Sequence, residues 1–220
     1  MAYLLRDDDQ RLTSAGVSTM RDADAGESPR PRRSDLIVVG GVPGAGKSTA
    51  IARAAAGLGH VSVIDPEQVI QWLRRRLPAS VPYRNYRWLI HTTHTIRVVA
   101  SLLSGPITGH RLVIHDPGTR VRRRQFLLAL AGWAGWRVTL LFVDVDHDSA
   151  REGQYRRGRV VASFEDHWRS WERLKPVLTE MSLGRAGLPA GVDAMLLVDR
   201  SQAADVLRHR LSSEGQAWSR

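Results

Sequence analysis

Apolar and polar positions alternate along this chain in two periods. Short continuous apolar runs recur at Leu36–Val39, His60–Ile64, Arg111–His115, Arg137–Val145 and Asp193–Asp199. They are rich in Val, Ile and Leu and too short for helices, so they read as buried parallel strands. Between them lie longer segments of helical period or composition. The first runs from Thr49 to about Gly57, and the second from Pro66 until Pro78 to Pro82 breaks it. A third covers about Arg84 to Leu103, and a fourth Val121 to Trp133, with Phe126, Leu127, Leu130 and Ala131 as its apolar stripe. Ala150 to Arg157 follows. Phe164 to Leu174 continues through Trp168 and Trp171, both read as core, and Pro176 is expected to start a separate helix to about Leu183. A closing helix, capped by Ser201, extends to about Leu211. Strands alternating with helices predict an α/β fold around a parallel sheet.

The first strand runs into Gly41-Val-Pro-Gly-Ala-Gly-Lys-Ser-Thr49. This is a phosphate-binding loop: a glycine, four residues, then Gly-Lys-Ser. Gly41, Gly44 and Gly46 let successive N–H groups turn inward, and the following helix adds its positive end, so Val42, Pro43 and Ala45 complete a nest for an anion. Lys47 is placed to reach the β- and γ-phosphates of a nucleotide, Ser48 to offer its hydroxyl to Mg²⁺, and Thr49 to face the α-phosphate side.

Two acids end strands of the same sheet. Asp65 stands where the second strand meets a helix start, so it is either a helix N-cap or a carboxylate aimed at an acceptor hydroxyl, and the two roles are compatible. Asp116 ends the third strand in the manner of a Walker B acid, which holds Mg²⁺ directly or through water, and His115 beside it is read as a contact to the acid or to water rather than as a base. His91 and His94 lie three apart on the third helix without an acidic third ligand nearby, and read as packing or surface residues. Arg74, Arg75, Arg76, Arg84 and Arg87 are candidates for an acceptor-binding wall. Arg151, Arg156, Arg157 and Arg159 cluster around Gly158, where an Arg-rich lid would close over a transferred phosphoryl group and exclude water.

Composition sets outer bounds. The 220 residues suffice for one domain with a tail. Residues 1–34 are dominated by Ser, Gly, Asp, Arg and Pro and offer too little apolar surface to offset chain entropy, so a disordered tail is expected there. The domain is expected over 35–212, with 213–220 frayed. The net charge of +10 is carried almost wholly by Arg, since Lys47 and Lys175 are the two lysines; such a surface favours anionic or nucleic-acid partners. The lack of Cys rules out disulfides and thiolate metal sites and suits a reducing cytoplasm. No apolar run reaches membrane-spanning length, and Asp7-Asp8-Asp9 stands where a leader would need an apolar core, so no membrane partner is expected.

Together, Gly-Gly-Val-Pro-Gly-Ala-Gly-Lys-Ser-Thr, the acid after the second strand, Val-Ile-His-Asp at the third and the Arg-rich stretch after the fourth resemble the small P-loop kinases. The likeness is to the polynucleotide 5′-hydroxyl kinase-like and zeta-toxin-like group, often described as AAA-type ATP-binding proteins, and it covers roughly residues 35–212. The resemblance implies a P-loop NTPase three-layer sandwich with a mostly parallel five-stranded sheet and an Arg-rich lid. It implies ATP and Mg²⁺ as cofactors, with Lys47 and Ser48 on phosphates and metal and Asp65 on the acceptor hydroxyl. Asp116 would be the third-strand acid, Arg120 the basic residue beyond it, and Arg151, Arg156 and Arg157 the lid cations. One departure is Asp116-Pro117-Gly118, where the group often has Asp-Thr-Asn or Asp-Ala-Thr. The expected activity is transfer of the ATP γ-phosphate to a hydroxyl on a small molecule or nucleic-acid end. The alternatives are an ATP-hydrolysing regulatory or nucleic-acid-associated switch and a kinase-like scaffold that binds ATP without turnover. A GTP switch is disfavoured by the absence of an Asn-Lys-x-Asp or Thr-Lys-x-Asp motif.

Overall fold

The structure, a computed structural model, describes residues 35–78, 80–106, 110–116, 121–156 and 164–212. The expectations for residues 1–34 and 213–220, and for Arg120, Arg157 and Arg159, fall outside the described residues, as does the side chain of Arg84.

Five strands form one parallel sheet: β1 (Asp35–Gly40), β2 (Val61–Ile64), β3 (Arg111–His115), β4 (Arg137–Asp144) and β5 (Ala194–Asp199), in the order β2-β3-β1-β4-β5. β1 is central because it is apolar on both faces: Leu36, Ile37, Val38 and Val39 are all buried, as a strand covered on two sides requires. It pairs with β3 from Leu36↔Leu112 to Val39↔His115 and with β4 from Asp35↔Arg137 to Gly40↔Phe142. The chain therefore leaves β1 to build one half of the sheet and returns past it to build the other. That reversal opens a crevice at the carboxyl ends of β1, β3 and β4, where open α/β sheets bind ligands.

Seven helices cover the sheet among the described residues: α1 (Lys47–Ala55), α2 (Pro66–Arg74), α3 (Tyr83–Leu103), α4 (Val121–Trp133), α5 (His147–Tyr155), α6 (Phe164–Ser182) and α7 (Ala203–Ser212). α1 packs on α7, while α2 packs on α3 and α3 on α4. Helices on both faces of the sheet give the expected three-layer α/β architecture. Val69, Ile70 and Leu73 of α2 meet Ile90 of α3 in a small core separate from the main one, so the α2–α3 pair forms a unit of its own beside the sheet. Among the described residues, no helix is long and apolar enough to cross a membrane.

Three expectations need correction. α6 is one helix with Pro176 inside it rather than two. Phe164, Trp171 and Leu178 bury one face on both sides of the proline, and Glu172, whose carbonyl loses its intrahelical donor, is exposed, where water can replace the bond. Ser201 does not cap α7. Its N–H and hydroxyl both donate to Asp199 Oδ1, at 2.8 and 2.6 Å, and fold the turn after β5. The stripe on α4 is also rotated: Leu127, Leu128 and Ala131 are buried together with Arg124, while Phe126 is 60% exposed. The run Arg122-Arg-Arg124 hides this register, because a buried Arg is unusual unless it has a partner.

The corrected register gives an expected outcome for α4. Leu127→Ala should cost about 2–5 kcal/mol, whereas Phe126→Ser should stay within about 0.5 kcal/mol, both read from urea unfolding; equal losses would restore the original stripe.

Candidate nucleotide and phosphoryl-acceptor site

The phosphate loop sits between β1 and α1, and its shape is set from outside as well as from within. Gly44 has φ +91, and a Cβ there would meet the backbone oxygen of Ala150 at 1.9 Å. Reciprocally, a Cβ on Gly153 would lie 2.5 Å from the Gly44 oxygen. Loop and α5 thus touch backbone to backbone, which a side chain on either would prevent. A glycine inside a helix is the sequence signal for such an approach, and Gly153 passed unread.

Gly46 caps α1 with φ +86 and no side-chain hydrogen bond, so the first-turn amides meet the cradle rather than a capping oxygen. Lys47 is 5% exposed, and its Nζ donates to the Gly41 and Val42 carbonyls at 2.8 Å each. The ammonium is held inside the ring of the loop by the groups an incoming phosphate would replace. Ser48 is half-buried, and Thr49 lies at the surface of the same turn.

Asp65 fills one of its two expected roles, the helix cap. Its Oδ1 accepts the Glu67 amide at 2.7 Å and caps α2, with Pro66 in the first turn. Its Oδ2 lies 3.1 Å from His115 Nδ1, the nitrogen that the Ser48 hydroxyl also approaches. Burial alone would raise its pKa. The hydrogen bond and charge of His115, the Glu67 amide and the Ser48 hydroxyl outweigh burial and hold it at about 2. Burial lowers the pKa of His115, against the pull of Asp65. His115 therefore donates its Nδ1–H to an ionised Asp65, while the Ser48 Oγ lies 3.4 Å from the same nitrogen. The acid that His115 contacts is thus Asp65 from the neighbouring strand end.

Asp116 is 1% exposed, and its amide donates to the Val39 carbonyl at 2.9 Å, which fixes it at the carboxyl end of β3 beside the loop. Arg124 Nη1 lies 3.8 Å from its Oδ2, and the Arg124 guanidinium also covers the Phe142 ring at 5.1 Å. This pairing is why α4 turns Arg124 inward. Sequence periodicity could have found it, since Arg124, Leu127, Leu128 and Ala131 share a helical face. The Ser48 hydroxyl and the Asp116 carboxylate are hard oxygen donors of the kind Mg²⁺ takes, and an uncapped glycine cradle beside them suits the phosphates that complete its shell, so the residues present fit a Mg-nucleotide.

The remaining predicted residues divide. His94 is 2% exposed and sits beneath the site, with Nε2 3.3 Å from the His115 carbonyl, whereas His91 is partly exposed and accepts from Arg87 at 3.4 Å. Arg151 donates to the Tyr155 hydroxyl at 3.5 Å, and Arg156 pairs with Glu152 at 2.7 Å. Both cations predicted for a lid are therefore engaged along α5, and neither touches Asp65, Ser48 or Asp116.

Two outcomes follow from these contacts. Gly153→Ala should lower stability by about 1–3 kcal/mol and weaken Mg-ATP binding, because the clash falls on loop backbone; calorimetric titration and unfolding check both. His94 is held neutral, at about 4, first by burial and then by the charges of Arg123 and His115, against a smaller opposing pull from Asp65. The folded state thus binds fewer protons than the unfolded chain between about pH 6.5 and 4, so stability should fall as pH drops through that window, by on the order of 2 kcal/mol at pH 5. His94→Gln should flatten that slope in urea titrations, and an unchanged slope would remove His94 from it.

The model of the AAA domain family matches residues 36–180. Among curated proteins, none matches. Among solved structures, the chain is similar to the tunicamycin resistance protein of Deinococcus radiodurans, at 14% identity and TM-score 0.50, covering 83% of this chain and 98% of that one. It is similar to a protein of the PezAT chromosomal toxin-antitoxin system of Streptococcus pneumoniae, at 18% identity and TM-score 0.52, covering 85% and 80%. A third is shikimate kinase from Acinetobacter baumannii in complex with shikimate, at 17% identity and TM-score 0.49, covering 81% and 91%. With the phosphate loop, the five-stranded parallel sheet and the strand-end acids in place, the chain belongs to the AAA domain family.

Proposed function

We propose that this protein transfers the γ-phosphate of ATP to a hydroxyl on an anionic acceptor. The observation that carries this reading is Asp65 at the end of β2, 3.1 Å from His115 Nδ1, which itself lies 3.4 Å from the Ser48 hydroxyl at the head of α1. An acceptor-side carboxylate and the phosphate loop thereby flank one imidazole, the closeness that in-line transfer demands.

Each residue then has a task. The loop amides and Lys47 hold the β- and γ-phosphates, Lys47 exchanging the Gly41 and Val42 carbonyls for phosphate oxygens. Ser48 and Asp116 would hold Mg²⁺, which would supply charge neutralisation on the phosphates. Asp65 accepts the hydrogen bond of the acceptor hydroxyl. Held at about 2, its carboxylate is a weak base, so it mainly orients the hydroxyl and takes its proton late. The bond from the acceptor oxygen to the γ-phosphorus forms while the bond to the β,γ-bridging oxygen breaks, and ADP leaves with that electron pair. Arg151 and Arg156 are held on α5 by exposed contacts of a kind that constrain weakly, so they are free to turn toward the transferred group together with Arg157. Arg120 lies just beyond Asp116 in the chain, and we assign it to the acceptor side.

Charge supports an anionic acceptor. From Gln68 to Val143 the chain carries twelve Arg and one acid, Asp116, and the remainder is within one charge of neutral. This stretch builds most of α2 together with α3, β3 and α4, the side of the sheet that Asp65 faces. Arg74, Arg75, Arg76 and Arg87 are exposed there, beside exposed Trp72 and Trp88. Such a field raises the local concentration of anions.

Incubation with γ-labelled ATP and a panel of hydroxyl compounds is expected to label an acceptor. Asp65→Asn keeps the helix cap and should lower transfer by about 10²–10⁴-fold with Mg-ATP affinity nearly intact. Lys47→Ala should weaken both binding and transfer. Release of free phosphate without labelling, stimulated by nucleic acid, would instead support the hydrolytic switch.

A further inference from the structure

The outer faces of α3 and α4 present apolar side chains at the surface of the described residues. Along α3 the exposed residues Trp88, Thr92, Ile96, Ala100 and Leu103 recur at helical spacing and include no charge. Along α4 the exposed stripe is Arg122, Phe126, Ala129 and Trp133. Trp88, Ile96, Leu103 and Phe126 are each at least half exposed, and Trp133 is 79% exposed. The opposite faces of the same helices, with Val98, Leu102, Leu127 and Ala131, pack into the core, so both stripes point away from the sheet. α3 packs against α4, which sets the stripes side by side. A patch of this kind marks a binding surface, whereas single exposed apolar residues do not.

Charge selects among the occupants such a face could take. α3 and α4 hold six Arg and no acid. Arg122 is exposed one turn before Phe126 on the same stripe, and exposed Arg87 is next to Trp88 in the chain. A second copy of this chain would bring the same cations against this face, which opposes close approach. An anionic partner gains from them instead. The apolar members decide which kind. Single-stranded nucleic acid stacks its bases on aromatic rings, and the aliphatic Ile96 and Leu103 offer it nothing. The interface of an anionic bilayer takes every member: Trp and Phe settle at headgroup level, aliphatic side chains reach the acyl boundary and Arg meets the phosphates. By contrast, α6 exposes Glu172, Arg173 and Lys175 together and has no such preference.

We propose that the outward face of α3 and α4 is a peripheral docking surface for an anionic phospholipid membrane. The two helices lie on the bilayer and do not cross it. No spanning run or leader is needed for such attachment, so the expectation against a membrane partner, which rested on those two features, does not bear on it. The stripes run along one flank of the sheet, whereas the phosphate loop and Asp65 stand at the carboxyl ends of the strands. Docking therefore leaves that crevice open beside the membrane. Attachment of this kind is independent of what the nucleotide site binds.

The test is co-sedimentation of the full chain with vesicles of phosphatidylcholine and phosphatidylglycerol in equal parts, against vesicles of phosphatidylcholine alone. The chain should bind the anionic vesicles about tenfold more tightly or better, and added salt should weaken that binding. Phe126→Ser combined with Trp133→Ser should lower the affinity about tenfold or more, because both side chains lose their place in the interface. Thermal unfolding should show the fold of that variant retained. Ile96→Ser, on the other stripe, should lower the affinity by a smaller factor, so the outcome does not hang on one variant. Trp133→Phe should keep most of the affinity. Val177→Ser, at an exposed apolar position on α6, should change it by less than about twofold. No binding to anionic vesicles overturns the proposal. Undiminished affinity in the double variant and in Ile96→Ser overturns it too, by tracing the binding to charge elsewhere in the chain, and so does an equal loss in Val177→Ser. A single-stranded oligonucleotide that binds where vesicles do not, and is lost in the double variant, overturns it in favour of nucleic acid. A dimer of the parent chain that the double variant abolishes, read by light scattering, overturns it in favour of a second copy.

Discussion

One ionised carboxylate ties the working edge of this molecule together. Asp65 receives the amide that starts α2 and the imidazole at the end of β3, and the hydroxyl at the head of α1 lies 3.4 Å from that same imidazole. Three elements therefore meet around one carboxylate. Burial would raise its pKa, and the groups around it outweigh burial. The same arrangement sets its chemistry. A carboxylate held below its ordinary range is a poor proton thief, which suits the proposed transfer, where alignment matters more than deprotonation.

The second constraint is steric. The phosphate loop needs glycine for its own turns, but it also needs glycine from elsewhere. Gly153 of α5 lies flat against Gly44, and Gly40 leaves room for the Phe142 ring, whose edge would sit 2.5 Å from a Cβ there. Phe142 in turn lies under Arg124, which reaches Asp116. The nest is thus packed from the β4–α5 side, and the end of α5 leads directly into the Arg-rich stretch. A shift of that helix is a shift of the loop, because backbones in contact leave no slack to absorb it.

Charge divides the molecule along its sheet. The β2–β3 side, with α2, α3 and α4, is almost free of acids, whereas the β4–β5 side mixes both signs in local pairs such as Lys175–Asp144 and Arg156–Glu152. The nucleotide loop lies at the boundary. An anion approaching Asp65 from the basic side gains long-range attraction without needing a dedicated pocket. The like charges must still be held apart from one another, and the guanidiniums of Arg76 over Trp72 and Arg97 on Gln68 show how single cations are accommodated without acids.

The chain's own pattern was enough for the architecture. Five apolar runs set between helical segments define five parallel strands, and the glycine loop between the first run and its helix marks the phosphate cradle, because local propensity and the 2.0 and 3.6 periods act over neighbouring residues. Asp65 and Asp116 were legible for the same reason, as acids standing at strand ends. What no local rule carries is which groups meet across the sheet. The pairing of His115 with Asp65, of Arg124 with Asp116, of Gly153 with Gly44 and of Arg200 with Gly46 joins residues between 8 and 154 positions apart only in the sense that strand order brings them to one edge. Sequence by itself determined the elements and the phosphate motif, since those depend on neighbours. Tertiary structure decided the charge state of Asp65, the partner of Arg124 and the reach of Arg200, since burial and partners exist only once the sheet is assembled.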